Sequence, residues 1–251
     1  MDTRVFEPLG LSHWVALAAT AAACVVFVRF FRSETVLEAR KTCVRIGFGV
    51  TLLIAVGLDP ILTWFRYAGE DRQLATNLVL ETALPLYLCD VVSVILALAL
   101  FTRNQRLAEI GYLWGLAGTV QGLLTPTLYF GWNTPEYYAF FIQHGGVPVA
   151  ALTLVWGMRI VPEKGAFVRA LFWSWGYIVV VFSINAAMTA AFKGIDLEVN
   201  YGFLNAKPEV GTLFDHMGPW PYYLLTLQAI AFSFYALLLL PFRRELRKEP
   251  P

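Results

Sequence analysis

Residues 84–93 read Leu-Pro-Leu-Tyr-Leu-Cys-Asp-Val-Val-Ser, and Asp90 is the one charged side chain in this apolar stretch. Burying a carboxylate in a membrane span is costly, so an ionisable residue there marks a candidate functional site. Cys89 directly precedes Asp90, and another ionisable residue, His144, lies in a second apolar stretch further along the chain. The starting hypothesis is therefore a thiol and an imidazole that face each other inside a membrane protein.

The composition is that of an integral membrane protein. Hydrophobic residues make up 58% of the 251 residues and charged residues 15%, whereas soluble domains average about 45–50% and about 25%. The mean hydropathy is +0.60. A chain of this length has room for several spans and short loops but not for a further sizeable soluble domain. We expect one integral membrane domain over residues 1–251, with no nucleic-acid-binding module.

Seven apolar stretches each approach the length of about 20 residues that a helix needs to cross a bilayer. They cover roughly residues 11–31, 44–65, 79–101, 107–126, 136–158, 168–191 and 219–241. The predicted fold is therefore an all-α, polytopic bundle of seven transmembrane helices. The longest connection, residues 192–218, joins the last two spans and is long enough to fold back as a lid.

Basic residues are distributed unevenly between the two sides of this predicted bundle. Lys and Arg in short loops are retained on the cytoplasmic side of a membrane. Most of the 19 Lys and Arg residues fall in the first, third and fifth connections and in the C-terminal tail, namely Arg29, Arg32, Arg40, Lys41, Arg45, Arg103, Arg106, Arg159, Lys164, Arg169, Arg243, Arg244, Arg247 and Lys248. The pattern predicts a cell-membrane protein with its N-terminus outside and its C-terminus in the cytoplasm.

The polar residues within the spans concentrate in the predicted outer half. At about 1.5 Å per residue, Cys89 lies about 15 Å and His144 about 12 Å from the outer end of its span. Other polar side chains fall in the same half or near the midplane, namely Asp59, Gln121, Thr125, Gln143 and Asn185. This distribution predicts a polar cavity that opens outward.

Helical spacing adds detail around the thiol. Residues four apart share a helix face, so Glu81, Pro85, Cys89 and Ser93 are predicted to form one stripe. Pro85 removes a backbone hydrogen bond and should kink the helix one turn before Cys89, which makes room for a ligand. On the fourth span, small residues recur at helical spacing and predict close helix packing beside Gln121, namely Gly111, Gly115, Gly118 and Gly122.

The three cysteines are poorly placed for a structural disulfide. Cys43 falls on the predicted cytoplasmic side, while Cys24 and Cys89 fall within spans. A free Cys89 thiol with His144 as its proton acceptor is suited to nucleophilic attack on an ester carbonyl, with an acyl-enzyme intermediate. Asp90 would orient the imidazole or serve as a packing carboxyl that hydrogen-bonds Gln121 or a tyrosine.

Further polar residues extend this hypothetical site. Gln121, Gln143 and Asn185 are donors of the type that stabilises an oxyanion. In the long connection, a phospholipid head group would find polar contacts in Asn200, Tyr201, Asn205 and Lys207, of which Lys is a point charge for phosphate. The alternative is that these four residues form a solvated loop.

Three other readings of the polar residues stay open at this point. A metal-dependent lipid hydrolase would use histidines and carboxylates on the outer side, namely His13, His144, His216, Asp59, Asp90 and Asp215. The sequence has no HExxH or comparable close pair, however.

A transporter or receptor would also have an outward polar cavity, although no internal repeat is evident and seven spans do not divide into two halves. A purely structural polar network is the third reading.

Several stretches resemble the bacterial YwaF-like integral membrane family. They are residues 84–90 (LPLYLCD), 112–119 (YLWGLAGT) with Gln121 and 124–126 (LTP), 140–145 (FFIQHG), 200–204 (NYGFL) with 207–208 (KP), and 218–223 (GPWPYY). That family resembles the eukaryotic transmembrane protein 164 family, described as a phospholipid acyltransferase with an acyl-enzyme cysteine. The resemblance covers residues 84–241 and implies that Cys89 is the nucleophile and His144 the base.

A more distant similarity is to androgen-induced membrane hydrolases, which use a Thr and a His on fatty esters. Here Cys89 stands at the nucleophile position, and a thioester can pass its acyl group to water or to an alcohol. The expected function is therefore a cysteine-dependent phospholipid acyltransferase or acyl hydrolase without metal or cofactor. Membrane lipids are the expected substrates, and the sequence predicts no particular oligomeric state.

Overall fold

A computed structural model describes residues 5–193, 197–207 and 216–247 of the chain. The helices in these ranges are α1 (Leu11–Arg32), α2 (Glu38–Tyr67), α3 (Arg72–Leu78), α4 (Leu88–Thr102), α5 (Gln105–Trp114), α6 (Val120–Leu124), α7 (Pro135–Leu152), α8 (Ala166–Ala191) and α9 (Tyr222–Leu239). Three π-helical turns extend α3, join α5 to α6 and extend α7, namely Val79–Ala83, Gly115–Thr119 and Thr153–Gly157. The described chain forms no β-sheet, which agrees with the all-α prediction.

Five helices in the described ranges are long and apolar enough to cross a membrane, or six if one bent pair counts as a span. The five are Leu11–Arg32, Glu38–Tyr67, Pro135–Gly157, Ala166–Ala191 and Tyr222–Phe242, and the bent pair is Arg72–Ala83 with Leu88–Thr102. The predicted fourth span, helical over 105–124, is not among them because it carries Arg106, Glu109 and Gln121. Its residues Ala108–Gly115 are all buried by protein, so this segment does not need a lipid-compatible surface.

The buried centre of the bundle is formed by α4, α5 and α7. Leu96 and Leu100 of α4, Leu113 of α5 and Val147 of α7 are fully buried in a single core cluster. The outer helices instead expose large apolar side chains, such as Val25 on α1, Phe172 on α8 and Leu225 on α9. Such a surface is unusual for a water-soluble protein and typical of helices that face lipid.

The glycines of the fourth predicted span lie where neighbouring helices approach closely. A Cβ atom on Gly111 would come 2.5 Å from Leu96, and one on Gly115 would come 2.9 Å from Val147. On the next turns, a Cβ atom on Gly118 would come 2.7 Å from Leu88, and one on Gly122 would come 2.7 Å from His144. The predicted close packing is confirmed. The glycine face of the helical segment 105–124 allows both α4 and α7 to pack against it.

A buried ion pair fixes α5 to α8. Glu109 is fully buried, and its two carboxylate oxygens accept hydrogen bonds from Arg169 Nε and Nη2, both at 2.7 Å. The backbone N–H of Glu163 donates to the same carboxylate at 3.2 Å. A bidentate pair with an extra donor satisfies a buried carboxylate far better than a single contact does.

The predicted third span is interrupted immediately before Cys89. The π-helical turn ends at Ala83, α4 begins at Leu88, and the two helices meet at an angle of 70°. Leu84 and Tyr87 have extended backbones, with ψ of 145° and 155°. The kink predicted at Pro85 is therefore a full break, and the predicted continuous stripe from Glu81 to Cys89 is wrong because the two residues lie on different helices.

The described part of the long connection packs against this break. Tyr201 is fully buried, and its hydroxyl donates to the Leu80 carbonyl at 2.8 Å and accepts from the Leu84 N–H at 3.1 Å. Asn185 on α8 holds the Tyr201 backbone through both its amide nitrogen and its amide oxygen, at 3.0 and 3.2 Å. Tyr201 thus replaces part of the hydrogen bonding that the broken helix has lost, at Leu80 and Leu84.

Replacing Tyr201 with phenylalanine should lower the free energy of unfolding by about 1–3 kcal/mol, because it leaves half-buried backbone groups of Leu80 and Leu84 unpaired. The thermal unfolding midpoint of the purified protein in detergent measures this loss. Tyr129→Phe is the matched control, since Tyr129 is 66% exposed and its hydroxyl has no partner in the described chain. Equal midpoints for the two variants would contradict the role of the Tyr201 hydroxyl.

A polar network at the break before α4

Cys89 and Asp90 are the second and third residues of α4, at the helix end created by the break. The Tyr87 N–H donates to Asp90 Oδ2 at 3.1 Å, so the carboxylate caps the first turn of its own helix. Ser93 Oγ, one turn further, donates to the Cys89 carbonyl at 2.7 Å. The first turn of α4 therefore holds the thiol and the carboxylate in fixed positions.

Gln143 on α7 connects this turn to the neighbouring helix. Its Nε2 donates to Asp90 Oδ1 at 2.6 Å, and both side chains are buried, with 5% and 8% of their surface exposed. Cys89 Sγ lies 4.0 Å from the same carboxylate oxygen. Asp90 was predicted to bond Gln121 or a tyrosine, but its side-chain partner is Gln143, because α7 rather than α6 presents an amide to the carboxylate, and the tyrosine contact is the backbone N–H of Tyr87.

His144 follows Gln143 and is held in one tautomer. Its Nδ1 lies 3.0 Å from the Phe140 carbonyl, which can only accept a hydrogen bond, so Nδ1 carries the proton and Nε2 has the lone pair. The ring stacks on Phe140 with 3.9 Å between centroids and an interplanar angle of 17°. Nε2 points toward Gly122, where a Cβ atom would lie 3.1 Å away. His144 is therefore oriented as a proton acceptor.

The structure joins Cys89, Asp90 and Gln143 directly, and it places His144 one residue further along α7. In the described ranges, no hydrogen bond links Cys89 Sγ to His144 Nε2. Catalytic hydrogen bonds are often long in the absence of substrate and shorten only in the reacting complex. The predicted thiol–imidazole pair thus lies on two adjoining helices. These helices are joined by a hydrogen bond between Asp90, which follows Cys89, and Gln143, which precedes His144.

The position of Cys89 at a helix N-terminus was not predicted from the sequence. Its sulfur lies within reach of the backbone N–H groups of Cys89 and Asp90. The N–H groups at the start of a helix, and the positive end of its dipole, stabilise a nearby negative charge. The sequence signal that could have revealed this position was Pro85, because a proline within a span ends a helix as readily as it kinks one.

Asp59 on α2 is a further carboxylate near this network. It acts electrostatically on both Asp90 and the Cys89 thiol, and it has no hydrogen-bond or salt-bridge partner within the described ranges. Tyr177 on α8 donates to the Leu86 carbonyl at 3.0 Å and thereby covers the break from the opposite side. The network therefore receives side chains from α2, α4, α7 and α8.

Other predicted site residues mainly bind the backbone or their own loop. Gln121, one residue before Gly122, donates to Thr125 Oγ1 at 3.1 Å. Asn200 bonds the backbone of Asn205 and Ala206, and Lys207 Nζ lies 5.9 Å from the centre of the Tyr223 ring. Asn185 and Tyr201, as described above, hold the connection to the break. None of these contacts brings a side chain directly to the Cys89 thiol.

The histidines of the metal hypothesis do not converge with other ligands in the described chain, where no group of three His, Cys, Asp or Glu residues could hold a metal ion. His13 is fully buried, accepts the Leu9 N–H at Nδ1 at 3.0 Å, and donates from Nε2 to the Leu123 carbonyl at 2.7 Å. His216 is exposed, and Asp215 lies outside the described residues. Lys248, named above among the basic residues of the tail, also lies outside them. All three cysteines are free thiols.

Comparison with known proteins identifies the family. Neither the curated proteins nor the solved structures gave a match. Residues 8–239 match the sequence profile of the TMEM164 family, which agrees with the resemblance noted from residues 84–241. Because this match spans most of the 251 residues and includes the whole polar network, the chain belongs to the TMEM164 family.

Proposed function

We propose that this protein is a membrane-embedded enzyme that transfers or hydrolyses the acyl group of a lipid ester through a thioester on Cys89. The observation that supports this most directly is the first turn of α4. There a free thiol lies at a helix N-terminus beside a hydrogen-bonded carboxylate, and the adjoining helix carries an oriented imidazole. The substrates are membrane lipids, which reach the protein from its apolar outer surface.

In the first step, His144 Nε2 accepts the proton of the Cys89 thiol, and the thiolate attacks the ester carbonyl carbon. A carbon–sulfur bond forms, the carbon–oxygen bond of the ester breaks, and the alcohol leaves with the proton from the imidazolium. In the second step, water or another alcohol attacks the thioester while Nε2 takes its proton. The acyl group then leaves the sulfur, and the thiol is restored.

The N-terminus of α4 is the proposed oxyanion site. No backbone carbonyl within the described chain accepts from the N–H groups of Leu88 and Cys89, which lie on the first turn of the helix, and the Cys89 N–H lies near its own sulfur. Backbone donors positioned where a negative charge develops are a major source of rate enhancement in acyl transfer. Asp90, held by Tyr87 and Gln143, fixes the start of the helix and positions Cys89, and Gln121 is a further donor near Gly122.

The proposed enzyme sits in the cell membrane with seven spans, its N-terminus outside and its C-terminus in the cytoplasm. The helical segment 105–124 supplies the span beyond the five or six that qualify by length and hydropathy. With this orientation, the thiol lies in the outer half of the membrane. Its substrates are then lipids of the outer leaflet, and the head-group contacts proposed for Asn200 and Lys207 face the same side, whereas the buried Tyr201 holds the break.

The direct test is intact-mass measurement of the purified protein after incubation with a phospholipid of known acyl chains. We expect a mass increase equal to one acyl group, located by peptide mapping within residues 84–102. Neutral hydroxylamine should remove it, because hydroxylamine cleaves thioesters faster than oxygen esters. No acyl adduct with any major class of phospholipid or lysophospholipid, on a folded protein, would contradict the proposal.

Replacing Gly122 with alanine should slow acylation of the protein by about 10- to 100-fold, because a small displacement of a catalytic group has an effect of that size. The new Cβ would lie 2.7 Å from His144 Cδ2 and 3.1 Å from Nε2, so the imidazole must move. The initial rate of adduct formation, with the thermal midpoint beside it, measures the effect.

Gly57→Ala on α2 is the matched control for Gly122. A Cβ on Gly57 meets nothing within 4 Å, so that variant should acylate normally and gain roughly 0.5–1 kcal/mol of helix stability. A Gly122→Ala protein that folds and acylates at the wild-type rate would show that the position of His144 is unimportant for the reaction.

A further inference from the structure

A polar cavity lies at the opposite end of the bundle from Cys89. Along α4, the rise from Cys89 to Arg103 is about 21 Å, so this cavity is separate from the proposed active site. Its volume is about 260 Å³, and it is lined by the α1–α2 connection, the start of α2, the end of α4 and the segment after α7. The proposed reaction at Cys89 gives this cavity no role.

The lining is strongly basic. Five cationic side chains line it against two carboxylates, namely Arg32, Lys41, Arg45, Arg103 and Arg159 against Glu34 and Glu38. Lys41 binds Glu38 at 2.8 Å, so this pair neutralises itself. Arg103 and Arg159 have no hydrogen-bond or salt-bridge partner elsewhere in the described chain, and Arg103 repels Arg45 electrostatically. The cavity therefore holds positive charge that the protein does not neutralise.

The two unpartnered arginines also lie on unfavourable backbone conformations. Arg103 has φ of 56° and Arg159 has φ of 61°, in the left-handed region where Gly and Asn are the usual residues. This conformation is unfavourable for an L-residue with a Cβ atom. Arginine is therefore not the best residue for stability at either position, and its guanidinium is available for another purpose.

An apolar cavity adjoins the basic one. It has a volume of about 500 Å³, shares Arg32 and Arg159 with the basic cavity, and is otherwise lined largely by apolar side chains, namely Val155, Trp156, Val161, Pro241 and Phe242, with Glu245. The Arg32 guanidinium is held between the two, because its Nε donates to the Trp156 carbonyl at 2.8 Å. A basic cavity continuous with an apolar one is suited to an amphipathic anion.

We propose that these adjoining cavities bind an anionic phospholipid, with its phosphate group among Arg32, Arg103 and Arg159 and an acyl chain along Trp156 and Phe242. Guanidinium groups bind phosphate in a planar, two-pronged geometry and are less strongly hydrated than ammonium groups. Basic residues at the end of a span attract anionic lipid head groups. The site lies on the side of the bundle predicted to be cytoplasmic, so the ligand comes from the inner leaflet.

Binding of phosphatidylglycerol, compared with phosphatidylcholine, tests this site on the full-length protein in detergent micelles. The test variant carries Arg103→Asn and Arg159→Asn together. Asn is well tolerated in the left-handed region, so without lipid the variant should unfold at the wild-type temperature or above it. Its affinity for phosphatidylglycerol, measured by native mass spectrometry, should fall at least tenfold. A purely structural role for these arginines would instead lower the unfolding temperature.

The control variant carries Arg29→Gln and Arg40→Gln, which removes two charges near the same end of the bundle outside both cavities. It should keep wild-type affinity. Equal loss of affinity in the control and test variants would overturn the proposal, because binding would then follow net charge alone. Wild-type protein that does not distinguish the two lipids would also overturn it. So would inorganic phosphate that displaces the lipid at equal concentration, since the ligand would then be a soluble anion.

Discussion

Replacing Cys89 with alanine is expected to abolish the acyl adduct and any acyl-transfer or hydrolytic activity of the purified protein. No other described nucleophile shares the start of α4, and without sulfur no covalent intermediate can form there. The side chain is small, and its contact with another side chain is the long one of 4.0 Å to Asp90, so the fold should survive the change. Intact-mass measurement with phospholipid, at matched protein concentration and with thermal midpoints recorded, gives the result.

The two other cysteines are the controls for this variant. Cys24 on α1 and Cys43 on α2 are both free, and Cys43 is exposed, so it is the more accessible thiol for non-specific acylation. Cys24→Ser and Cys43→Ser proteins should carry the adduct at the wild-type rate. An adduct that persists in Cys89→Ala but disappears in Cys43→Ser would show that the labelling is chemical and that Cys89 is not the nucleophile.

The order of the helices was largely predictable from the sequence. Six of the seven predicted spans coincide with helices or helix pairs that qualify as spans by length and hydropathy. The outer helices expose large apolar side chains, and α4 and α7, although buried, are also apolar, so hydropathy identifies all six. The segment 105–124 differs because it is less apolar, and its buried Glu109 is neutralised by Arg169 from a distant part of the chain. A partner 60 residues away leaves no local signal in hydropathy.

The site was predictable as a set of residues but not as an arrangement. Cys89, Asp90, Gln143 and His144 were all identified because each is a polar residue in an apolar stretch. The helix break was foreseen only as a kink, since its stability depends on Tyr201, which bonds Leu80 and Leu84 from more than 100 residues away. Without those bonds, the Leu80 carbonyl and the Leu84 N–H would be left unpaired at membrane depth, which is unfavourable.

The break changes the chemistry expected of the thiol. In a continuous helix, the N–H groups of Leu88 and Cys89 would bond carbonyls one turn earlier and would be unable to stabilise an oxyanion. The break leaves these donors without a carbonyl acceptor in the described chain. Tyr201 and Asn185, which were predicted to contact substrate, therefore contribute to the proposed reaction by holding the break open rather than through direct contact.

His144 supplies the second large effect. Replacing it with alanine should slow acylation of Cys89 by about 100- to 10,000-fold, the usual contribution of a general base. The Phe140 carbonyl holds the imidazole with its Nε2 lone pair available, and no other described side chain offers a neutral base beside Gly122. The initial rate of adduct formation measures the loss. Raising the pH should restore part of the rate in the variant, because hydroxide then removes the thiol proton.

His13→Gln separates this role from a purely structural one. His13 is the other buried histidine, but both its ring nitrogens are occupied, by the Leu9 N–H and the Leu123 carbonyl. Its replacement should lower the thermal midpoint, because buried partners lose their hydrogen bonds. The acylation rate of the folded protein should stay near wild type. His144→Ala should instead slow acylation and change the thermal midpoint little. A His144→Ala protein that acylates Cys89 as fast as the wild type would remove the imidazole from the mechanism, and Asp90 would be left as the nearest acceptor for the thiol proton.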